Sequence, residues 1–150
     1  MQQFDRDLML LLNDVARLLR TRFDQRARAR GMTRAQWVIL SRVHAKPGLS
    51  QNELAALLEV EPISVGRLVD RLEARGLLER RSDPADRRIR RLHLLPAAAP
   101  VLEEITKSRD VLVTELLEGV DPDIRSQVVD ALLQMKNNLT SESAPVAVGA

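Results

Sequence analysis

A chain of 150 residues, 45% apolar and 29% charged, has the make-up of one soluble globular domain or two intimately shared subdomains, not of a disordered segment. It has no cysteine and only two histidines, His44 and His93, which excludes disulfides and thiolate sites and leaves no ligand set for a zinc cluster; neither metal nor cofactor is expected. Its net charge of +2 fits no single class of partner until its distribution along the chain is known.

In chain order, the first element is a long helix over about Asp5–Arg30. Phe4, Leu8, Leu11, Leu12, Val15, Leu18, Leu19 and Phe23 recur there at spacings of three and four. Gly31 suits a left-handed stop, and Thr33 an N-cap for a second helix carrying Trp37, Leu40, Ser41 and His44. Pro47-Gly48 is a turn. Ser50-Gln51-Asn52-Glu53 reads as a capping box for a short helix with Leu54, Leu57 and Leu58 on its inner face. After a turn at Glu59-Val60-Glu61, Pro62 opens a helix that runs to about Arg75 and stops at Gly76. Val65, Leu68, Val69 and Leu72 form its apolar face, leaving Ile63, Ser64, Arg67, Asp70 and Arg71 opposite.

Two short helices joined by a tight turn are a helix-turn-helix pattern. Leu77–Arg81 and Arg87–Leu94 read as two strands around the turn-forming Ser82-Asp83-Pro84-Ala85-Asp86, which makes a hairpin with a basic tip, a wing. Pro96 and Pro100 flank alanines that begin a further helix with a stripe of Val101, Ile105, Leu112, Leu116 and Leu117. Asp121 and Pro122 cap and open a last helix bearing Ile124, Val128, Leu132, Met135 and Leu139. Residues 141–150 show no periodicity and are expected to be disordered. The expected fold is mainly α, in the α+β sense. A winged helix-turn-helix lobe over 32–95 is flanked by dimerisation helices over 1–31 and 96–140.

Charge separates along this order. Residues 1–60 carry ten basic and six acidic groups, 61–91 nine and six, and 92–150 four and nine. A basic front and an acidic back suit a chain that turns one face to a polyanion. With aromatics at 2%, stacking platforms for single strands or RNA are missing, so the expected polyanion is double-stranded DNA. No segment nears the roughly 18 apolar residues of a membrane span, and the first residues lack a signal peptide's basic start and apolar run. The expected location is the cytoplasm, with no membrane partner.

The stretch Gly31–Leu94 resembles the MarR family of bacterial regulators. The resemblance rests on Gly31-Met32-Thr33 with Gln36-Trp37, Ser50-Gln51 through Glu53-Leu54-Ala55, Leu68–Glu73, Gly76-Leu77, and above all Asp83-Pro84-Ala85-Asp86-Arg87-Arg88. Glu61–Arg67 looks most like the SlyA-type branch. The resemblance implies a homodimer whose first and last two helices interlock. It also implies a wing whose Arg87 meets the minor groove and whose Arg88 pairs with Asp86. The chain departs from the family at Leu95-Pro96-Ala97-Ala98-Ala99-Pro100, where proline replaces a threonine cap, so the start of that helix is expected to shift.

Helix-turn-helix proteins lay the start of the second helix against base edges in the major groove. Here that start is Pro62, Ile63, Ser64 and Arg67, with Arg67 able to donate two hydrogen bonds to a guanine. Arg71, one turn on, is expected at a phosphate, and Ser50 and Gln51 begin a helix whose N–H groups face another. Arg90 and Arg91 read as solvated strand positions, and Gly66 as a place where the helix lies close to DNA. Arg17, Arg20 and Trp37 form a candidate pocket for a small aromatic carboxylate or other lipophilic effector, weighed against packing and solvation. No nucleophile elbow, phosphate loop or metal spacing is present, so the chain is expected not to be an enzyme. A winged-helix module that binds protein instead of DNA is the alternative; the basic wing and the Arg67/Arg71 face argue against it.

Overall fold

The structure, a computed structural model, describes residues 6–141. Six helices and one hairpin follow in the order α1 (Leu8–Ala29), α2 (Arg34–Ala45), α3 (Gln51–Leu58), α4 (Pro62–Ala74), β1 (Leu78–Ser82), β2 (Arg90–Leu94), α5 (Ala98–Leu116) and α6 (Pro122–Thr140). The expected first-helix residues Phe4 and Asp5, and the tail beyond Ser141, lie outside the described residues.

Local signals set most boundaries. Asp7 caps α1 by accepting from the Leu10 N–H, and Gly31 follows the helix at φ 69°. Thr33 and Gln36 close a full capping box at the start of α2. At α3 only half of the expected box has its role: Ser50 accepts from the Glu53 N–H, while the Glu53 carboxylate takes Lys46 at 3.1 Å. Glu59 ends α3 in the left-handed region at φ 54°, a conformation strained for a residue with a Cβ, and this makes the tight turn into α4. Pro62 stands at the start of α4, and Gly76, at φ 71°, follows its end. Pro100 falls in the first turn of α5, where a missing N–H costs nothing, so it does not break the helix.

By contacts the chain divides between Leu112 and Val113. In the first unit, Trp37, Ile39, Leu40 and Val43 of α2 meet Leu54 of α3, Val65, Val69 and Leu72 of α4, and Leu78 and Leu92 of the hairpin in one closed core. Each such side chain contributes roughly 1.5–3 kcal/mol on burial. The hairpin is antiparallel, with Leu78 opposite Leu94 and Ser82 opposite Arg90. Its free edge is covered: Leu92 donates to Leu49 and Gly48 donates to Leu92, both at 2.9 Å, so the segment before α3 acts as a third strand. The C-terminal half of α1 packs on this body through Ala27 and through Phe23, whose ring stands edge-on to Trp37 at 5.2 Å.

The second unit contains α6, whose Asp121 cap accepts from the Asp123 N–H. Arg125 donates to the carbonyls of Val120 and Leu117, which are otherwise orphaned after α5. None of the residues of α6 is buried, and Ile124, Val128, Val129, Leu132, Leu133 and Leu139 are exposed.

Candidate nucleic-acid interface

One side of α4 belongs to the core and the other is bare. Val65, Val69 and Leu72 point inward, which leaves Pro62, Ile63, Ser64, Arg67 and Arg71 exposed on the outside. Ile63 is 66% exposed, a high value for a β-branched aliphatic side chain. Among the described residues, neither the Arg67 nor the Arg71 side chain has an ion pair or hydrogen bond. The start of α4 thus offers an apolar group, a hydroxyl and an unpaired guanidinium within two turns, the side-chain types that read base edges.

The wing is organised by its first aspartate. One Asp83 oxygen accepts from the Ala85 and Asp86 N–H groups, and the other accepts from Arg91 Nε at 2.5 Å. Backbone bonds from Asp83 to Ile89 and from Ile89 to Asp86 close the turn. The expected second strand from Arg87 is therefore shorter, because Arg87 and Arg88 sit in this turn and pairing resumes only at Arg90. Arg91 is not a solvated strand residue: besides Asp83 it reaches the Gly48 carbonyl at 3.0 Å and lies 3.9 Å from Glu53, tying the wing to the start of α3. Arg90 is exposed and has no such partner among the described residues.

Arg88 and Asp86 do pair, through Nε at 3.1 Å and Nη2 at 3.0 Å, although the Arg88 side chain is 90% exposed. That guanidinium holds the Asp86 carboxyl below its ordinary value, and Asp86 in turn raises Arg88. Arg91, together with two backbone N–H groups, likewise lowers Asp83, and Lys46 does so for Glu53. Arg87, at the tip between these paired neighbours, is exposed and unpaired.

Ser50 and Gln51 face inward. Ser50 is buried as the cap of α3, and the Gln51 carbonyl accepts from Arg80 Nε at 3.1 Å. A Cβ built on Gly66 would lie 3.2 Å from Gln51 Nε2, so the glycine gives room to the Gln51 side chain of α3. Its cost of roughly 1 kcal/mol of helix propensity goes to that packing.

Arg80, on β1, escaped the sequence reading altogether. Its side chain is 16% exposed and donates to Gln51, to the Gly66 carbonyl at 3.0 Å and to Glu73 at 3.3 Å, with Asp70 at 2.7 Å. Asp70, read from the sequence as part of the outward face, is drawn into this cluster. The only hint in the sequence is the pair Asp70 and Glu73 on one helical face; nothing local shows which cation they await.

Of the candidate effector residues, Trp37 lies in the core while Arg17 and Arg20 are on the surface of α1. Trp37 is fully buried, and its Nε1 has no partner. Arg17 is exposed and pairs with Asp14 at 3.3 Å, and Arg20 is exposed. An open concavity of about 630 Å³ at the turn between α3 and α4 is lined by Glu59 and Glu61, which disfavours an acidic ligand there. Among the described residues, no group of acidic, histidine or cysteine side chains could hold a metal, and no helix is long and apolar enough to cross a membrane.

Two helices with a tight turn, an outward α4 and a basic hairpin define a winged helix-turn-helix protein. Residues 30–89 match the sequence model of the MarR family. A crystal structure of MarR is similar at 27% identity, over 93% of this chain and 94% of that one, with a TM-score of 0.81. The transcriptional regulator SlyA is similar at 26% identity, over 89% and 94%, with a TM-score of 0.77. BpsR of Bordetella bronchiseptica, whose DNA binding is regulated by 6-hydroxynicotinic acid, is similar at 25% identity, over 91% and 98%, with a TM-score of 0.75. Residues 30–89 carry the sequence pattern of the MarR family, and the fold is that of the MarR-type transcription regulators with solved structures. The SlyA-type likeness is consistent with these values, which are nearly equal for MarR and SlyA.

Proposed function

We propose that the chain is a sequence-specific, double-stranded DNA-binding regulator, a repressor or ligand-responsive, that acts as a homodimer on a pseudopalindromic operator and not as an enzyme. The observation that carries this reading is the contrast among the arginines of α4 and the wing. Arg80, Arg88 and Arg91 are paired, whereas Arg67, Arg71 and Arg87 are exposed without partners on the recognition helix and the wing tip. Unpaired guanidiniums release phosphate counterions on binding, so they contribute affinity without first breaking an ion pair. In this reading Ile63, Ser64 and Arg67 meet base edges, Arg71 a phosphate and Arg87 the minor groove. The exposed stripe of α6 and, separately, Leu8, Leu11, Leu12, Val15 and Leu18 of α1 each supply apolar surface that a second copy would cover. A twofold pair of recognition helices fits half-sites about one helical turn, ~34 Å, apart.

The experiment is selection of bound sequences from random duplexes, followed by binding of Arg67→Ala and Arg71→Ala to the selected and to scrambled DNA. Arg67→Ala should lose affinity for the selected duplex alone, and Arg71→Ala for both alike. Selection that enriches no sequence, or binding without salt dependence, overturns the reading. A small aromatic or lipophilic acid is the proposed effector, a class to which 6-hydroxynicotinic acid, the regulator of BpsR, belongs. Binding titrated with such acids should weaken or strengthen in a saturable way; no change at millimolar acid removes the effector.

A further inference from the structure

We propose that Arg80 is a positioning residue that couples the wing to the recognition helix, so that Arg67 and Arg87 engage DNA as one rigid unit. This rests on the DNA-binding reading above. Among the described residues, every ion pair joining β1 to α4 runs through the Arg80 side chain, to Asp70 at 2.7 Å and to Glu73 at 3.3 Å. Its backbone N–H adds a bond to the other Glu73 oxygen at 3.1 Å. The same guanidinium holds Gln51 of α3 and the carbonyl of Gly66. Three elements that must keep fixed spacing for a two-groove grip thus meet at one planar cation, whose N–H groups diverge from a rigid fork.

Two details indicate that this is a fitted seat and not a chance surface pairing. Arg80 is mostly buried, unlike Arg88 and Arg81, whose pairs are exposed. Gly66, mid-helix, lacks the Cβ that would crowd Gln51 at 3.2 Å, and its carbonyl is the one Arg80 takes. With its nitrogens engaged inside the lobe, Arg80 is not itself a phosphate ligand. It acts through Arg67 and Arg87.

The test is a double-mutant cycle on the selected duplex with wild type, Arg80→Ala, Arg87→Ala and the double variant. Arg87→Ala should cost at least tenfold in the wild-type background and less than threefold in the Arg80→Ala background, because a decoupled wing no longer delivers Arg87 to its groove. A purely structural role would lower the folded fraction and leave the Arg87 cost unchanged. Equal Arg87 costs in the two backgrounds overturn the proposal. If Arg80→Ala does not fold, Arg80→Lys keeps the charge without the fork and takes its place in the cycle. A wild-type chain with no affinity for duplex DNA overturns both this and the DNA-binding reading; additivity overturns this one alone.

Discussion

The lobe from α2 to β2 and the helix α6 use the same kind of apolar stripe to opposite ends. In the lobe, Trp37, Leu40, Leu54, Val69, Leu78 and Leu92 are shut away from water by their own chain. In α6, Ile124, Val128, Leu132 and Leu139 recur at helical spacing, and all are exposed. Their periodicities are alike, so helical spacing tells which residues share a face but not what covers it. The lobe completes its core alone and keeps polar groups for its outer surface. The α6 stripe is left to a second copy in the proposed dimer, since an uncovered run of large aliphatics in water costs free energy.

The comparison breaks most severely at Trp37. Trp37→Ala should cost ~3–5 kcal/mol of lobe stability, read from chemical unfolding, because the indole fills the space between Phe23 and the α2 core. A cost under about 1 kcal/mol would mean that the lobe closes without it.

Next in size is Leu132→Asp on α6. It should raise the dimer dissociation constant at least about 100-fold, near 2.8 kcal/mol, by placing an unpaired charge in the apolar seam. Lobe stability should hold, since Leu132 contributes nothing to that core. Sedimentation equilibrium reads the first effect; an unchanged dimer would show that α6 is not the seam.

A sharper comparison lies inside the wing. Arg87→Ala should lower DNA affinity at least tenfold, roughly 1.4 kcal/mol or more. It should also flatten the salt dependence by about one phosphate-equivalent per wing. Thermal stability should stay within about 0.5 kcal/mol of wild type, because the side chain is exposed and unpaired. Asp83→Ala should do the reverse, loosening the wing's amide protection in the free protein, because it removes the acceptor of Arg91 and of two turn N–H groups.

The smallest expected effect is that of pH. Asp83 and Asp86 are held below their ordinary value of 3.8, so the folded wing favours their charged forms. Their stabilisation is complete above that value and is lost as pH falls through the lowered ones. Hydrogen exchange of the wing should be flat from neutrality to about pH 5 once the intrinsic rate is removed. Protection should then fall below about pH 4. A loss of protection already near pH 6 would contradict the assignment to Asp83 and Asp86.

Much of the fold was legible because its punctuation is local. Thr33, Ser50, Pro62, Gly76 and Asp121 act on the N–H and carbonyl groups of their own turn, and each starts or stops a helix within a residue or two of the place expected for it. The outward face of α4 followed from its apolar period, so Ile63, Ser64, Arg67 and Arg71 stand together as expected. The wing is legible in its turn residues, but its second strand starts late, because the Asp83 turn takes in Arg87 and Arg88 before pairing begins.

Arginine alone was ambiguous. The sequence determined how many guanidiniums the lobe carries and which helical faces they occupy. Only the tertiary structure decided that Arg91 and Arg80 are spent inside the lobe while Arg67 and Arg87 are left free. The acceptors of Arg80 lie 7, 14 and 29 residues away on α4 and α3. A long flexible side chain takes whatever carboxylate or carbonyl the packing of helices against a hairpin brings within 3 Å, and no local periodicity records that meeting.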